Sequence, residues 1–121
     1  MVAHDLAGMA ATYHPAAVLV TPQGTMPIAR ALAGWGQAME AMKRNGSQAS
    51  VAFRFSLRQD GAETAFESGM FNYAVTDSAG AATRYIIPFE ALLVRQDARW
   101  LIVMERQFAA ADEAAWNAMA P

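Results

Sequence analysis

The sequence predicts an α+β domain: a strongly curved antiparallel sheet of about four to six strands wrapped around two or three helices. Three observations carry this. Ile28 to Arg44 has one apolar stripe at helical spacing. From Val51 the apolar period changes to two. Runs of strand character, separated by turn residues, then follow one another as far as Phe108.

The elements come in order. Asp5 is placed to cap a first helix, with Leu6, Met9, Ala10 and Tyr13 recurring on one side and Pro15 closing it. "AVLVTP" (Ala17 to Pro22) is a short strand ended by Pro22, Gly24 and Pro27. The next helix places Leu32, Trp35, Met39 and Met42 on its stripe, with Gln37, Glu40 and Lys43 off it, and Asn45–Gly46 terminates it. In the following strand Val51, Phe53, Phe55 and Leu57 alternate with Ala52, Arg54, Ser56 and Arg58. "RQDGAE" turns the chain into a long strand from Thr64 to Val75, in which Gly69 marks a bulge or bend. After the loop "TDSAGAAT" come strands Tyr85 to Arg95 and Trp100 to Phe108. The Ala-rich tail, Ala109 to Met119, reads as a short helix burying Ala115, Trp116 and Met119.

Length and composition narrow the class. With 121 residues, 55% hydrophobic and 17% charged, the chain makes one domain over residues 1–121. Net charge is −2 and no stretch concentrates its 9 basic residues, so nucleic acid and anionic membranes are not expected partners. The absence of cysteine removes disulfides, thiolate chemistry and Cys-based metal sites. The two histidines, His4 and His14, do not make a zinc site, so no metal or cofactor is expected. "MVAHDLAGMAATYHPAAVLV" has neither a basic start nor a continuous apolar core, and a cytoplasmic location is expected.

"MAATYHPAAVLVTPQGTMPIARALAGW" resembles the first half of small nuclear transport factor 2-like proteins, in which a helix ending in "LY" or "LF" leads to "AVxxxP.G" and a "G.xxIxxxW" helix. "LLVRQDARWLIVMER" is similar to the "VWRRxDGRWRIVRD" hairpin of the same group. The resemblance covers about Asp5 to Phe108, and it is nearest to the polyketide-cyclase-like and ketosteroid-isomerase-like branches. It implies a cone-shaped fold with an apolar central cavity, and a homodimer formed through the outer sheet face. It does not imply one activity, because this fold hosts isomerases, cyclases, dehydratases and plain binders. Such proteins begin with a long helix that lids the cone, and this sequence starts where that helix would end. The tail 109–119 is then expected to cover the opening, anchored by Trp116.

The hairpin "FEALLVRQDARWLIVMERQF" carries two carboxylates among apolar residues. A turn over Gln96–Arg99 sets Arg95 opposite Trp100 and, counted on without interruption, Glu90 opposite Glu105. Leu92 with Val103 and Val94 with Leu101 share their face, which is therefore the expected inner one. Leu93, Trp100, Ile102 and Met104 fall on the other face and supply the expected dimer contact. By the resemblance, Glu90 falls where ketosteroid isomerases keep a protonated acid in their oxyanion hole, and Glu105 matches the acid ending the "RWRIVRD" motif. Thr21 stands where those isomerases have their general-base aspartate, so steroid isomerisation is not expected.

Glu90 and Glu105 are thus the candidate catalytic pair: one stays protonated as acid while the other serves as base. The candidate ligand-binding residues are Tyr13, Trp35, Met39, Phe55, Met70, Asn72, Leu92 and Gln107. The expected ligand is a small apolar molecule. The competing readings are plainer. The two glutamates pair with Arg54, Arg84 or Arg106 at the sheet edge, Trp35 and Met39 are core, and the pocket binds without turnover or is vestigial.

Overall fold

The computed structural model describes residues 6–119. A short helix α1 (Leu6–Ala10) precedes six strands and two further helices: β1 (Tyr13–Thr21), β2 (Gly24–Pro27), α2 (Ile28–Asn45), β3 (Gln48–Asp60), β4 (Thr64–Thr76), β5 (Ala82–Gln96), β6 (Arg99–Gln107) and α3 (Glu113–Asn117). The strands make one curved, unclosed sheet in the order β2-β1-β6-β5-β4-β3. Every neighbouring pair is antiparallel except β1 with β6, which run parallel. The α+β expectation therefore holds, and the meander β3–β6 is as read. The sequence reading of Asp5 as a helix cap lies outside the described residues.

α2 lies across one face of the sheet. Ile28 and Ala31, near its start, are buried with Ala17 and Leu19 of β1, and Leu32 and Trp35 pack against that cluster. Met39 and Met42, two turns on, are buried with Ala49, against Met9 of α1 and Tyr73 and Val75 of β4. The helical stripe is thus core along its whole length, as its spacing requires. Gly46, at φ 77°, ends the helix and donates its N–H to the Met42 carbonyl.

Tyr73 and Val75 face α2, so strand alternation fixes both faces of β4. Gly69, Phe71, Tyr73 and Val75 belong to the α2 side; Phe66, Ser68, Met70, Asn72 and Ala74 belong to the opposite side. Carried through the register, the α2 side receives Phe53 and Phe55 from β3 and Ile87, Phe89, Ala91 and Leu93 from β5. Gly69 lies opposite Phe55, next to the register shift between Phe55 and Leu57. A Cβ at Gly69 would overlap the Arg54 carbonyl oxygen and lie 2.9 Å from Phe55 Cα. Glycine is required here for close backbone approach.

Four sequence expectations are corrected. The first concerns the β5–β6 hairpin. Its two-residue turn, Asp97 and Ala98 at φ 53° and 63°, joins strands that start in the expected register, with Arg95 opposite Trp100 and Leu93 opposite Ile102. Leu92 then faces Met104, so Val103 is an extra, bulged residue. Beyond it every partner moves by one: Ala91 faces Glu105 and Glu90 faces Arg106. Glu90 and Glu105 do not oppose one another; they lie on opposite faces of the sheet.

The second correction follows from the first. Leu93, Trp100 and Ile102, expected on an outer dimer face, share the α2 side, whereas Met104 pairs with Leu92 on the other. Leu92, expected inside, is 44% exposed on the side away from α2.

Thirdly, β1 begins at Tyr13, and Pro15 stands inside the strand rather than at a helix end. Between Tyr13 and Val18 the pairing with β6 is interrupted, and β2 pairs only with Val18–Thr21. The missing N–H of Pro15 therefore costs no ladder bond.

Fourthly, the tail is helical only over Glu113–Asn117, with Asp112 accepting a hydrogen bond from Ala115 N at 2.9 Å. β5 is longer than β6 and offers carbonyls beyond its end. Phe108 N–H bonds to Pro88 O at 2.9 Å and Ala111 N–H to Ile86 O at 2.8 Å, which holds the preceding alanines extended. Trp116 is buried, with the Arg54 guanidinium 4.3 Å above its ring and Arg54 Nη1 donating to its carbonyl at 2.7 Å. Arg54 alternates with Phe53 and Phe55, so α3 seats on the face away from α2. It does not lid the α2 side.

Candidate functional site

Tyr13 opens β1 and directs its ring toward α2, where it meets Trp35 at a centroid distance of 6.3 Å. Its hydroxyl donates to Glu105 Oε1 at 2.7 Å. Gln107, two residues along the same face of β6, donates from Nε2 to Glu105 Oε2 at 2.7 Å. Both carboxylate oxygens of Glu105 thus accept from neutral donors. The described residues contain three ion pairs, Lys43–Glu40, Arg58–Glu67 and Arg84–Glu113, and none involves Glu105. The nearest strand neighbours of Glu105, Leu19 in β1 and Ala91 in β5, are both buried. Burial, followed by the negative charge of Glu105 and the hydrogen bond to it, raises the Tyr13 phenol well above its usual range. Tyr13 stays protonated at neutral pH and acts as a donor, not as a base.

Beside this polar group is an aromatic surface. Phe89 lies directly opposite Gln107. Its ring is 5.9 Å from Phe53, 6.1 Å from Phe55 and 6.1 Å from Phe71, and Phe53 stacks on Phe55 at 6.2 Å. Phe89 is buried, but Phe53 and Phe55 are 42% and 37% exposed. Arg58, paired to Glu67 at 2.9 Å, places its guanidinium 4.1 Å over Phe55. Two depressions lie elsewhere: one of about 500 Å³ along α2, lined by Ala33, Gly36, Gln37, Glu40 and Arg44, and one of about 320 Å³ beside the β1–β2 hairpin.

The structure brings together Tyr13, Trp35, Met39, Phe55, Glu105 and Gln107 on the α2 side. Met39 is part of the core cluster. Glu90, Met70, Asn72 and Leu92 lie on the far side. The Asn72 Oδ1 atom is buried without a hydrogen-bond partner, in register with Ala52 and Ile86. Phe53, Phe71 and Phe89 join the surface without having been singled out; their odd-numbered alternation with Phe55 was the available signal. Thr21, at the isomerase base position, bonds within its own turn, to Gln23 Oε1 at 3.2 Å and Gly24 O at 3.4 Å. No group of three or more His, Asp or Glu residues suited to a metal occurs among the described residues. Nor is any helix there long and apolar enough to cross a membrane.

Neither a family model nor a curated protein matches the sequence. Solved structures do match the fold. A nuclear transport factor 2-like superfamily protein from Salmonella enterica aligns over 90% of this chain and 80% of its own, with a TM-score of 0.68 and 11% identity. The chain has the nuclear transport factor 2-like fold. A ketosteroid isomerase-like protein from Erwinia carotovora aligns over 90% and 83%, with a TM-score of 0.62 and 17% identity. A conserved protein from Planctomyces limnophilus aligns over 88% and 83%, with a TM-score of 0.71 and 14% identity. These likenesses establish the cone fold and bear out the family resemblance at that level; identities this low leave activity to the site itself.

Proposed function

We propose that this nuclear transport factor 2-like chain binds a small apolar molecule on the α2 side of its sheet. The phenylalanine surface receives the apolar body, and Tyr13, Glu105 and Gln107 receive a polar group. The observation that carries this reading is the partly buried Tyr13–Glu105–Gln107 chain, with Gln107 opposite Phe89, whose ring meets exposed Phe53 and Phe55. Exposed rings near a partly buried carboxylate without a counter-ion combine the two features of a small-molecule site: apolar area and a few fixed polar groups. A second reading, acid–base turnover of the bound molecule, draws on the same hydrogen bond. Glu105 can serve as base, with Tyr13 held protonated as the donor that orients its carboxylate. Likeness to a protein described as ketosteroid isomerase-like supports that reading by analogy of fold only.

The test is binding of an environment-sensitive apolar dye, together with native mass spectrometry of the purified chain for a retained ligand. Phe53→Ala combined with Phe55→Ala is expected to weaken dye binding by at least about tenfold, given roughly 1.5–3 kcal/mol for each buried ring. Unchanged affinity in a folded double variant refutes the site.

A further inference from the structure

The polar end of this site is built to receive a hydrogen-bond donor, and above all a cation. Tyr13 has already committed its only proton to Glu105 Oε1, and Gln107 has committed one amide proton to Oε2. The uncommitted donors are the second Gln107 N–H and the Trp35 indole N–H, both neutral. The uncommitted acceptors are more numerous and include the only formal charge: the remaining lone pairs of Glu105, the Tyr13 oxygen and the Gln107 Oε1. No described Lys, Arg or His lies within ion-pair distance of Glu105, although buried Leu19 and Ala91 flank it. A carboxylate partly removed from water without a counter-ion carries a cost, and a cation arriving beside it offsets that cost. The adjacent ring faces carry negative charge density and favour a cationic molecule too, as Arg58 over Phe55 already shows on the same surface.

Resting on the binding reading above, we infer that the ligand is an amphipathic organic amine, its ammonium group on Glu105 and its apolar or aromatic body on the Phe53–Phe89 surface. An oxyanion or a carbonyl oxygen meets the wrong partners here: it finds acceptors where it needs donors.

Three probes with one ring system separate the possibilities: naphthylmethylamine, naphthylmethanol and naphthoate, titrated calorimetrically into the full chain at neutral pH. The expected order is amine, alcohol, naphthoate, with the amine at least about tenfold tighter than the alcohol, as a charged hydrogen bond implies. In Glu105→Gln the amine should fall to the affinity of the alcohol. In Glu90→Gln, whose side chain lies on the far face, the order should be unchanged. Naphthoate or alcohol binding as tightly as the amine overturns the amine assignment and leaves the binding site standing. A collapse of the order in Glu90→Gln overturns the assignment to Glu105. If none of the three binds, both the assignment and the site fall. The wild-type order decides the matter even if Glu105→Gln does not fold.

Discussion

Replacing Tyr13 with phenylalanine removes one oxygen and little volume, so its effect reports almost entirely on the Tyr13–Glu105 hydrogen bond. A hydrogen bond to a charged group contributes about 1.5–3 kcal/mol, and here its loss also leaves one oxygen of a partly buried carboxylate without its donor. For a domain of this size that corresponds to a fall in Tm of roughly 5–12 °C at pH 8. The pH dependence is more diagnostic. Folding raises the Tyr13 pKa, by burial first and by the Glu105 charge second. The folded chain therefore holds this proton more tightly than the unfolded chain does. The stability that results is complete below the unfolded value of about 10 and declines as pH rises above it, toward the folded value. Tyr13→Phe lacks this contribution at every pH. The gap in Tm between wild type and variant should therefore be constant from pH 7 to 9 and narrow above about pH 10. Thermal melts across that range, with phenolate absorbance recorded in parallel, provide the assay. Burial and Tyr85 raise Tyr73 as well, so the alkaline-resistant phenols should decrease by one in the variant rather than disappear. Equal melting temperatures at pH 8, or a gap that does not narrow above pH 10, would refute the buried donor.

Gly69→Ala should destabilise the chain by at least about 1–3 kcal/mol, because the added Cβ meets the backbone of Arg54 and Phe55, which cannot rotate aside; denaturant melts with an unchanged midpoint would contradict the close approach. Asn72→Leu should be neutral or stabilising by about 1 kcal/mol, since the wild-type Oδ1 is buried without a partner; a clear loss of stability in the same melts would mean that this atom is satisfied.

The fold was legible because its signals are redundant. The Leu32–Trp35–Met39–Met42 stripe and the Val51–Leu57 alternation each place a buried face without help from the rest of the chain. Four of the ten candidate site residues were assigned to the wrong face, and the reason is local. Residues Leu101, Ile102, Val103 and Met104 are all apolar, so no polar residue marks which one leaves the alternation, and an unbroken count passes the bulge unseen. Glu90, Met70, Asn72 and Leu92 were assigned inward through parity, and parity is what a bulge or an uncertain starting face reverses. The tail misled for a related reason. Alanine has high helix propensity, but the unpaired carbonyls of Ile86 and Pro88 exert a stronger demand on Phe108–Ala111 than propensity does.

The bulge at Val103 does more than defeat a count, for it places the carboxylate. With strict alternation from the Asp97–Ala98 turn, Glu105 would point away from α2, opposite Glu90, while Arg106 would point toward Tyr13 and Trp35. One extra residue exchanges them. Glu105 moves to the α2 side, where Tyr13 and Gln107 bind its two oxygens, and Arg106 moves to the far side, opposite Glu90 and 4.7 Å from the Phe108 ring. The interruption in β1 falls against the same point: Tyr13 pairs with Ile102 and Val18 with Met104, so residues 14–17 of β1 pass a single residue of β6. Irregularities on both flanks of Val103 thus converge on one stretch of strand, and they reverse the charge presented to the phenylalanine surface from positive to negative. A bulge that merely relieved sheet curvature could fall anywhere along the hairpin with equal effect. This one falls two residues before the only carboxylate on the α2 side of β6, and it determines that the site presents an acceptor to whatever binds there.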